Sequence, residues 1–105
     1  MSSANNNDNS AEVLNFDKKQ WGDADFAQMI AELKVNTVVT QLSLKGCKLG
    51  PNHAKKIAKM LMVNASLKNI NLYNNKIGDE GASVIAKGIQ ENKNCVLEEL
   101  NLVYN

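Results

Sequence analysis

Two eleven-residue phrases, "VTQLSLKGCKL" at 39–49 and "LKNINLYNNKI" at 67–77, stand 28 positions apart with apolar residues at the same four places. A repeat this short constrains the fold more than any other feature of the chain. A unit of 28 residues cannot enclose a core of its own, so copies must stack and bury each other's apolar faces. The frame extends beyond the two phrases. Gly22, Gly50 and Gly78 open successive segments and Asn36, Asn64 and Asn92 close them.

Within each segment the apolar spacing is helical. Phe26, Met29, Ile30 and Leu33 fall at i, i+3, i+4 and i+7, as do Ala54, Ile57, Ala58 and Leu61, then Ala82, Ile85, Ala86 and Ile89. Pro51 suits a first helical position, and Asp23 and Asp79 are placed to cap free amides. Ahead of the helices the period changes to two. Leu42 and Leu44, Ile70 and Leu72, and Leu100 and Leu102 alternate with polar residues, as in short half-buried strands. "AEVLNFDKKQW" is a weaker first copy, with Leu14, Phe16 and Trp21 in the apolar places. The order is therefore strand–helix three times and then a final strand.

These residues carry a resemblance. Val39, Leu42, Leu44, Cys47 and Leu49 fit L-x-x-L-x-L-x-x-N/C-x-L, as do Leu67, Ile70, Leu72, Asn75 and Ile77, and Leu97, Leu100, Leu102 and Asn105 fit as far as the chain runs. The chain resembles a leucine-rich repeat protein, and its period with "IGDEGA" at 77–82 looks like the ribonuclease-inhibitor-like class. That likeness implies an α/β solenoid with short parallel strands on the concave face and helices on the convex face. It covers residues 11–105 as one domain, after an Asn-rich tail over residues 1–10 expected to be disordered. One departure is a two-residue insertion: Asn64 to Ile70 is six positions, Asn92 to Leu100 is eight, so "KNCV" is expected to form a longer turn. In the family the Asn or Cys after the strand turns inward and bonds neighbouring backbone; Asn75 can do so with both ends of its amide, Cys47 only weakly.

Composition removes other classes. All twelve basic residues are Lys and nearly balance eleven acids, so neither nucleic acid nor an anionic membrane is an expected partner. The N-terminus lacks the regions of a secretory signal, and no apolar run approaches a membrane span. Cys47 and Cys95 form no metal or disulfide pattern, and the expected setting is cytoplasmic and reducing. Asn64-Ala65-Ser66 matches a glycosylation acceptor, but Asn64 is assigned to the repeat. His53, the one histidine, has no nucleophile at a suggestive spacing and reads as a surface residue; "GDEG" lacks the Lys-Ser or Lys-Thr of a phosphate loop. No cofactor, metal or catalytic residue is expected, and the chain does not read as an enzyme.

What varies between copies is the outward face of the strands. The resemblance places these residues on the concave surface, in rows: Val13, Gln41, Asn69, Glu99; Asn15, Ser43, Asn71, Asn101; Asp17, Lys45, Tyr73, Val103; then Lys18, Gly46, Asn74, Tyr104. Tyr gives contact area at low entropy cost and Asn and Ser give adaptable hydrogen bonds. The expected function is protein–protein recognition, with Gln41, Ser43, Lys45, Asn69, Asn71, Tyr73, Glu99, Asn101, Val103 and Tyr104 as the partner-binding residues. Two narrower alternatives come from likeness alone. "ELKVNTVVTQLSL" and "IAKMLMVNASLKNINL" are similar to the repeat region of tropomodulin and leiomodin, implying actin pointed-end binding. The repeat type is also similar to that of Ran GTPase-activating protein, which lacks this chain's brevity and has an acidic tail. The chain stops at Asn105, before a helix, and is expected to be a fragment of a longer one or to self-associate through its C-terminal edge.

Overall fold

The computed structural model describes residues 12–105; the tail expected to be disordered lies outside the described residues. Its elements are β1 (Glu12–Asn15), α1 (Asp23–Val35), β2 (Val39–Ser43), α2 (Pro51–Leu61), β3 (Asn69–Asn71), α3 (Gly78–Glu91) and β4 (Glu99–Asn101). The strands form one parallel sheet in the order β1-β2-β3-β4, and α2 packs between α1 and α3. Each strand–helix unit is one coil of a solenoid. The register is the one the repeat implies: Leu14, Leu42, Ile70 and Leu100 are cross-strand partners.

The core is the stack of alternate strand residues against the helices. Leu42, Leu44, Ile70 and Leu72 are buried, as are Phe26, Leu33, Ile57, Met60, Leu61 and Ile85. Each such side chain contributes about 1.5–3 kcal/mol. At the front, Phe16, Trp21 and Phe26 meet edge to face with centroids 5.3 and 5.7 Å apart, closing the first coil with aromatic surface. At the back, Leu97, Leu100 and Leu102 are only half-buried.

Strand-to-helix corners and helix-to-strand corners are both tied by asparagine. At the first, Asn75 Oδ1 accepts from Cys47 N–H (2.9 Å) and Leu49 N–H (3.0 Å), while Nδ2 donates to the carbonyls of Leu44 and Leu72 (2.9 Å each). Asn105 repeats part of this one coil later, accepting from Ile77 N–H at 3.2 Å and donating to Leu72 O at 2.7 Å. Cys47, in the same place one coil earlier, has only its thiol to offer, donating weakly to Phe16 O at 3.3 Å and to Lys45 O at 3.6 Å. At the second corner, Asn64 Nδ2 donates to Leu33 O (2.7 Å) and Oδ1 accepts from Ser66 and Leu67 N–H (2.8 Å each). Asn92 donates to Leu61 O (2.7 Å) and Asn64 O (2.8 Å). Carbonyls at a helix C-terminus have no partner within the helix, so the next coil's side chain supplies one. Asn64 is 4% exposed with its amide fully engaged, which removes it as a glycosylation acceptor. The insertion after Asn92 has a local effect. Its Oδ1 accepts only from Asn94 N–H, where Asn36 and Asn64 each bind two amides.

Two expectations about the helices are corrected. Asp23 and Asp79 lie in the first turns of α1 and α3 but make no capping hydrogen bond; Gly22 and Ile77 hold the N-cap positions. Their charges act on the helix dipole alone. In α3 the buried residues are Gly81, Ile85 and Gly88, whereas Ala82 and Ile89 are half-buried and Ala86 is exposed. The reason is steric. A Cβ on Gly88 would meet Ala58 O at 2.5 Å, and one on Gly81 would collide with Ile77 Cγ2 and touch Ala54 Cβ at 3.0 Å. α3 therefore lies against α2 on its glycines, turning its alanines outward.

Two stability predictions follow from these contacts. Asn75→Ala strands the buried Cys47 and Leu49 N–H groups and removes a donor from Leu44 O, while Leu72 O keeps its bond from Asn105. It should cost about 3 kcal/mol or more, since each unsatisfied buried group costs about 1–3 kcal/mol. A urea midpoint within error of wild type would contradict the corner's role. Gly88→Ala should lower stability by about 1–3 kcal/mol through overpacking, although helix propensity alone favours Ala by about 0.5–1 kcal/mol. A raised melting temperature would show that the helices are not in contact there.

Candidate functional site

Because side chains alternate across a strand, residues opposite the buried leucines all face one surface. The pairings Val13–Gln41–Asn69–Glu99 and Asn15–Ser43–Asn71–Asn101 are those expected. Together with Glu98 and Val103 they line an open groove of about 730 Å³ across all four strands. Lys45, Tyr73 and Tyr104 stand outside that lining, at the rim where strands turn toward helices. Glu98 was not among the expected residues. Its backbone is tied to the third coil, since the N–H groups of Glu98 and Glu99 both donate to Lys68 O, at 2.7 and 3.0 Å.

The rim has a fixed backbone geometry. Lys18, Gly46, Asn74 and Tyr104 are left-handed, with φ of 65°, 64°, 59° and 59°. Gly and Asn adopt this readily, while a Tyr there is strained by about 1–2 kcal/mol. The left-handed turn seats the Tyr104 ring against Tyr73, centroids 5.4 Å apart, with Tyr104 71% and Val103 53% exposed. The result is an aromatic ledge over the third and fourth coils.

The middle row is partly committed to the fold. Asn15, Asn71 and Asn101 each accept, through Oδ1, the N–H two residues on: Asp17 (3.0 Å), Tyr73 (3.0 Å) and Val103 (2.9 Å). Ser43 occupies this position in the second coil, and its hydroxyl donates to Asp17 instead of accepting the Lys45 N–H. Asp17 from the first coil takes over, accepting from Lys45 N–H at 2.9 Å and from the Ser43 hydroxyl at 2.5 Å, with Lys45 Nζ at 3.8 Å. Burial alone would raise the Asp17 pKa; the hydrogen bonds from Ser43 and Lys45 N–H, the Lys45 charge and Asn15 outweigh it and hold the carboxyl below its ordinary 3.8. The recurrence of Asn at 15, 71 and 101 was a visible signal of this structural duty.

The second half of the molecule's chemistry is structural. His53, expected at the surface, is half-buried: its Nδ1 accepts Gly50 N–H at 3.0 Å and its ring stands edge-on to Phe26 with centroids 4.8 Å apart. It clamps the start of α2 onto α1. Among the described residues no three His, Cys, Asp or Glu side chains gather as a metal site, and no helix is long and apolar enough to cross a membrane.

Parallel coils tied by asparagine at both corners, with helices outside and a polar sheet face within, define a leucine-rich repeat solenoid of the ribonuclease-inhibitor-like class. The leucine-rich repeat family matches residues 63–86. Ribonuclease inhibitor from Sus scrofa is 31% identical over 84 residues, covering 80% of this chain and 18% of that protein. Two solved structures superpose on 89% of the chain: the Caenorhabditis elegans tropomodulin C-terminal domain (TM-score 0.75, 13% identity, 55% of that chain) and leiomodin-1 actin-binding site 2 (TM-score 0.76, 26% identity, 54% of that chain). The chain thus spans under a fifth of the curated relative and about half of either solved domain. It is a leucine-rich repeat protein with a tropomodulin-like coil arrangement.

The Asp17 network makes a pH prediction. A carboxyl whose folded pKa lies below its unfolded value stabilises fully above the unfolded value, near 3.9, and loses that contribution as pH falls through the folded one. Asp17→Asn should therefore be less stable than wild type at pH 7, with the gap closing as pH drops below about 4. A gap that stays constant from pH 7 to pH 2 in urea titrations would contradict the assignment.

Proposed function

We propose that the chain binds a protein partner through the groove and its tyrosine ledge, without catalysis. The observation that carries this reading is the sheet face itself: four strands present amide and carboxylate groups beside an exposed Tyr104 ring and a half-buried Tyr73. Leucine-rich repeats generally bind proteins, and the fold supplies that prior. Aromatic anchors with a polar surround are the composition of binding hot spots.

A narrower reading names actin. It is favoured by the 26% identity and TM-score of 0.76 to a leiomodin-1 domain described as an actin-binding site. Co-sedimentation with filamentous actin and an elongation assay with one filament end blocked test it directly. Pelleting with actin in proportion to its concentration supports this reading; no binding and no effect on elongation removes actin and leaves the general reading to a pull-down.

Against whichever partner binds, Tyr73→Ala should weaken affinity about tenfold or more while shifting the melting temperature little, because an interface anchor is worth about 1–2 kcal/mol or more. Lys56→Glu, on the exposed side of α2, should do neither. Equal losses from inner and outer changes would refute the concave-face reading.

A further inference from the structure

The groove has a chemical polarity that the rows alone do not reveal. Asn15, Asn71 and Asn101 line it, and each gives its Oδ1 to a backbone N–H. That bond decides the orientation of the amide, since the opposite flip would set two donors face to face. Each Nδ2 group is therefore the free end, and none has a partner among the described residues. Adjacent strands are about 4.8 Å apart, so Asn71 and Asn101 form a pair of donors at that spacing, with Asn15 two strands further along. Ser43 breaks the row, because its hydroxyl proton goes to Asp17.

Charge is distributed in the same sense. Lys18, Lys45, Lys48 and Lys76 are exposed along the strand-to-helix rim, and of these four only Lys45 has a carboxylate of the described residues within 4.0 Å, that of Asp17. Glu98 and Glu99 sit at the opposite, helix-to-strand side of the groove. A ligand bearing carboxylates is thus attracted to the half holding the asparagine donors, the lysines and the tyrosine ledge, and repelled from the other half.

We infer that the asparagine row, with Lys45 and the rim lysines, recognises an acidic helix of the protein partner, lying across the strands with its carboxylates on successive turns against Asn71 and Asn101. One helical turn rises about 5.4 Å, close to the donor spacing, whereas alternate residues of an extended strand are separated by about 6.8 Å. Charge-assisted hydrogen bonds to carboxylates are roughly twice as strong as neutral ones, which gives the row its selectivity. This inference rests on the concave-face reading above and adds the chemistry of what that face accepts.

Asparagine-to-aspartate substitution tests it without disturbing the turn. Asn71→Asp and Asn101→Asp keep the oxygen that binds Tyr73 or Val103 N–H and replace the free donor with a negative acceptor. The probes are a synthetic amphipathic helix carrying Glu at i, i+4 and i+7, and its Glu→Gln counterpart, titrated by fluorescence anisotropy into the full chain. The Glu peptide should bind wild type at least about tenfold more tightly than the Gln peptide. Either Asp variant should abolish that preference, with an unchanged melting temperature. Equal binding of the two peptides to wild type, no Glu-peptide binding at millimolar concentration, or a preference retained in both variants would overturn the inference. So would a large fall in melting temperature for the Asp variants, since the turn would then be using the amide nitrogen. A protein partner lost by Tyr73→Ala but kept by Asn71→Asp would refute the acidic helix alone and leave the concave-face reading standing.

Discussion

The architecture depends on side-chain amides that complete the backbone of the preceding coil. A solenoid must turn the chain twice per repeat, and each turn removes backbone groups from both helix and sheet ladders while still burying them. Asn75 answers this at the strand-to-helix corner with two accepted and two donated bonds. Asn64 and Asn92 answer it at the helix-to-strand corner by reaching Leu33 O and Leu61 O. An amide carries both donors and acceptor on one short side chain, which is why Asn holds these places and Cys47 is the weaker substitute. With corners tied, the leucines need only alternate for the core to form.

Much of this was legible in the sequence. The 28-residue frame, with two residues added after Asn92, places Gln41, Asn69 and Glu99 in one row and Ser43, Asn71 and Asn101 in the next, and the register reproduces both. Rows are legible because strand alternation has a strict period of two, which leaves no freedom once the leucines are assigned. Contacts between coils were not. Nothing local to "GDEG" shows that Gly81 faces Ala54, or that Gly88 faces the Ala58 carbonyl; those depend on how closely α2 and α3 approach. Nor does His53 announce that its ring meets Phe26, 27 positions earlier in the chain. The duty of Asp17 follows from Ser43 being the exception in an asparagine row, which only the paired strands make plain.

The same economy shapes the site. The asparagines of the concave face are structural: the oxygen fixes the turn, which orients the amide nitrogen left free at the surface. Pre-oriented donors lose little entropy when a partner arrives. Tyr104 shows the converse, a bulky residue held left-handed at the rim so that its ring meets Tyr73. Backbone strain of this kind is retained where the surrounding structure or a ligand determines it. Stability in this protein lies in the corners and the leucine stack, and the recognition we propose falls to the half-amides and rings that project from them.

Amide hydrogen exchange resolved by residue is the most direct test of that claim. The account predicts that Cys47 and Leu49, whose N–H groups bind only the Asn75 side chain, exchange as slowly as Leu44 and Leu72, whose N–H groups bind Asn71 O and Asn101 O at 2.9 Å. It also predicts that Leu67, held by Asn64, belongs to the same slow group. Exchange of Cys47, Leu49 and Leu67 at the rate of exposed loop amides, while the strand amides stay protected, would show that the asparagine corners do not hold the coils together.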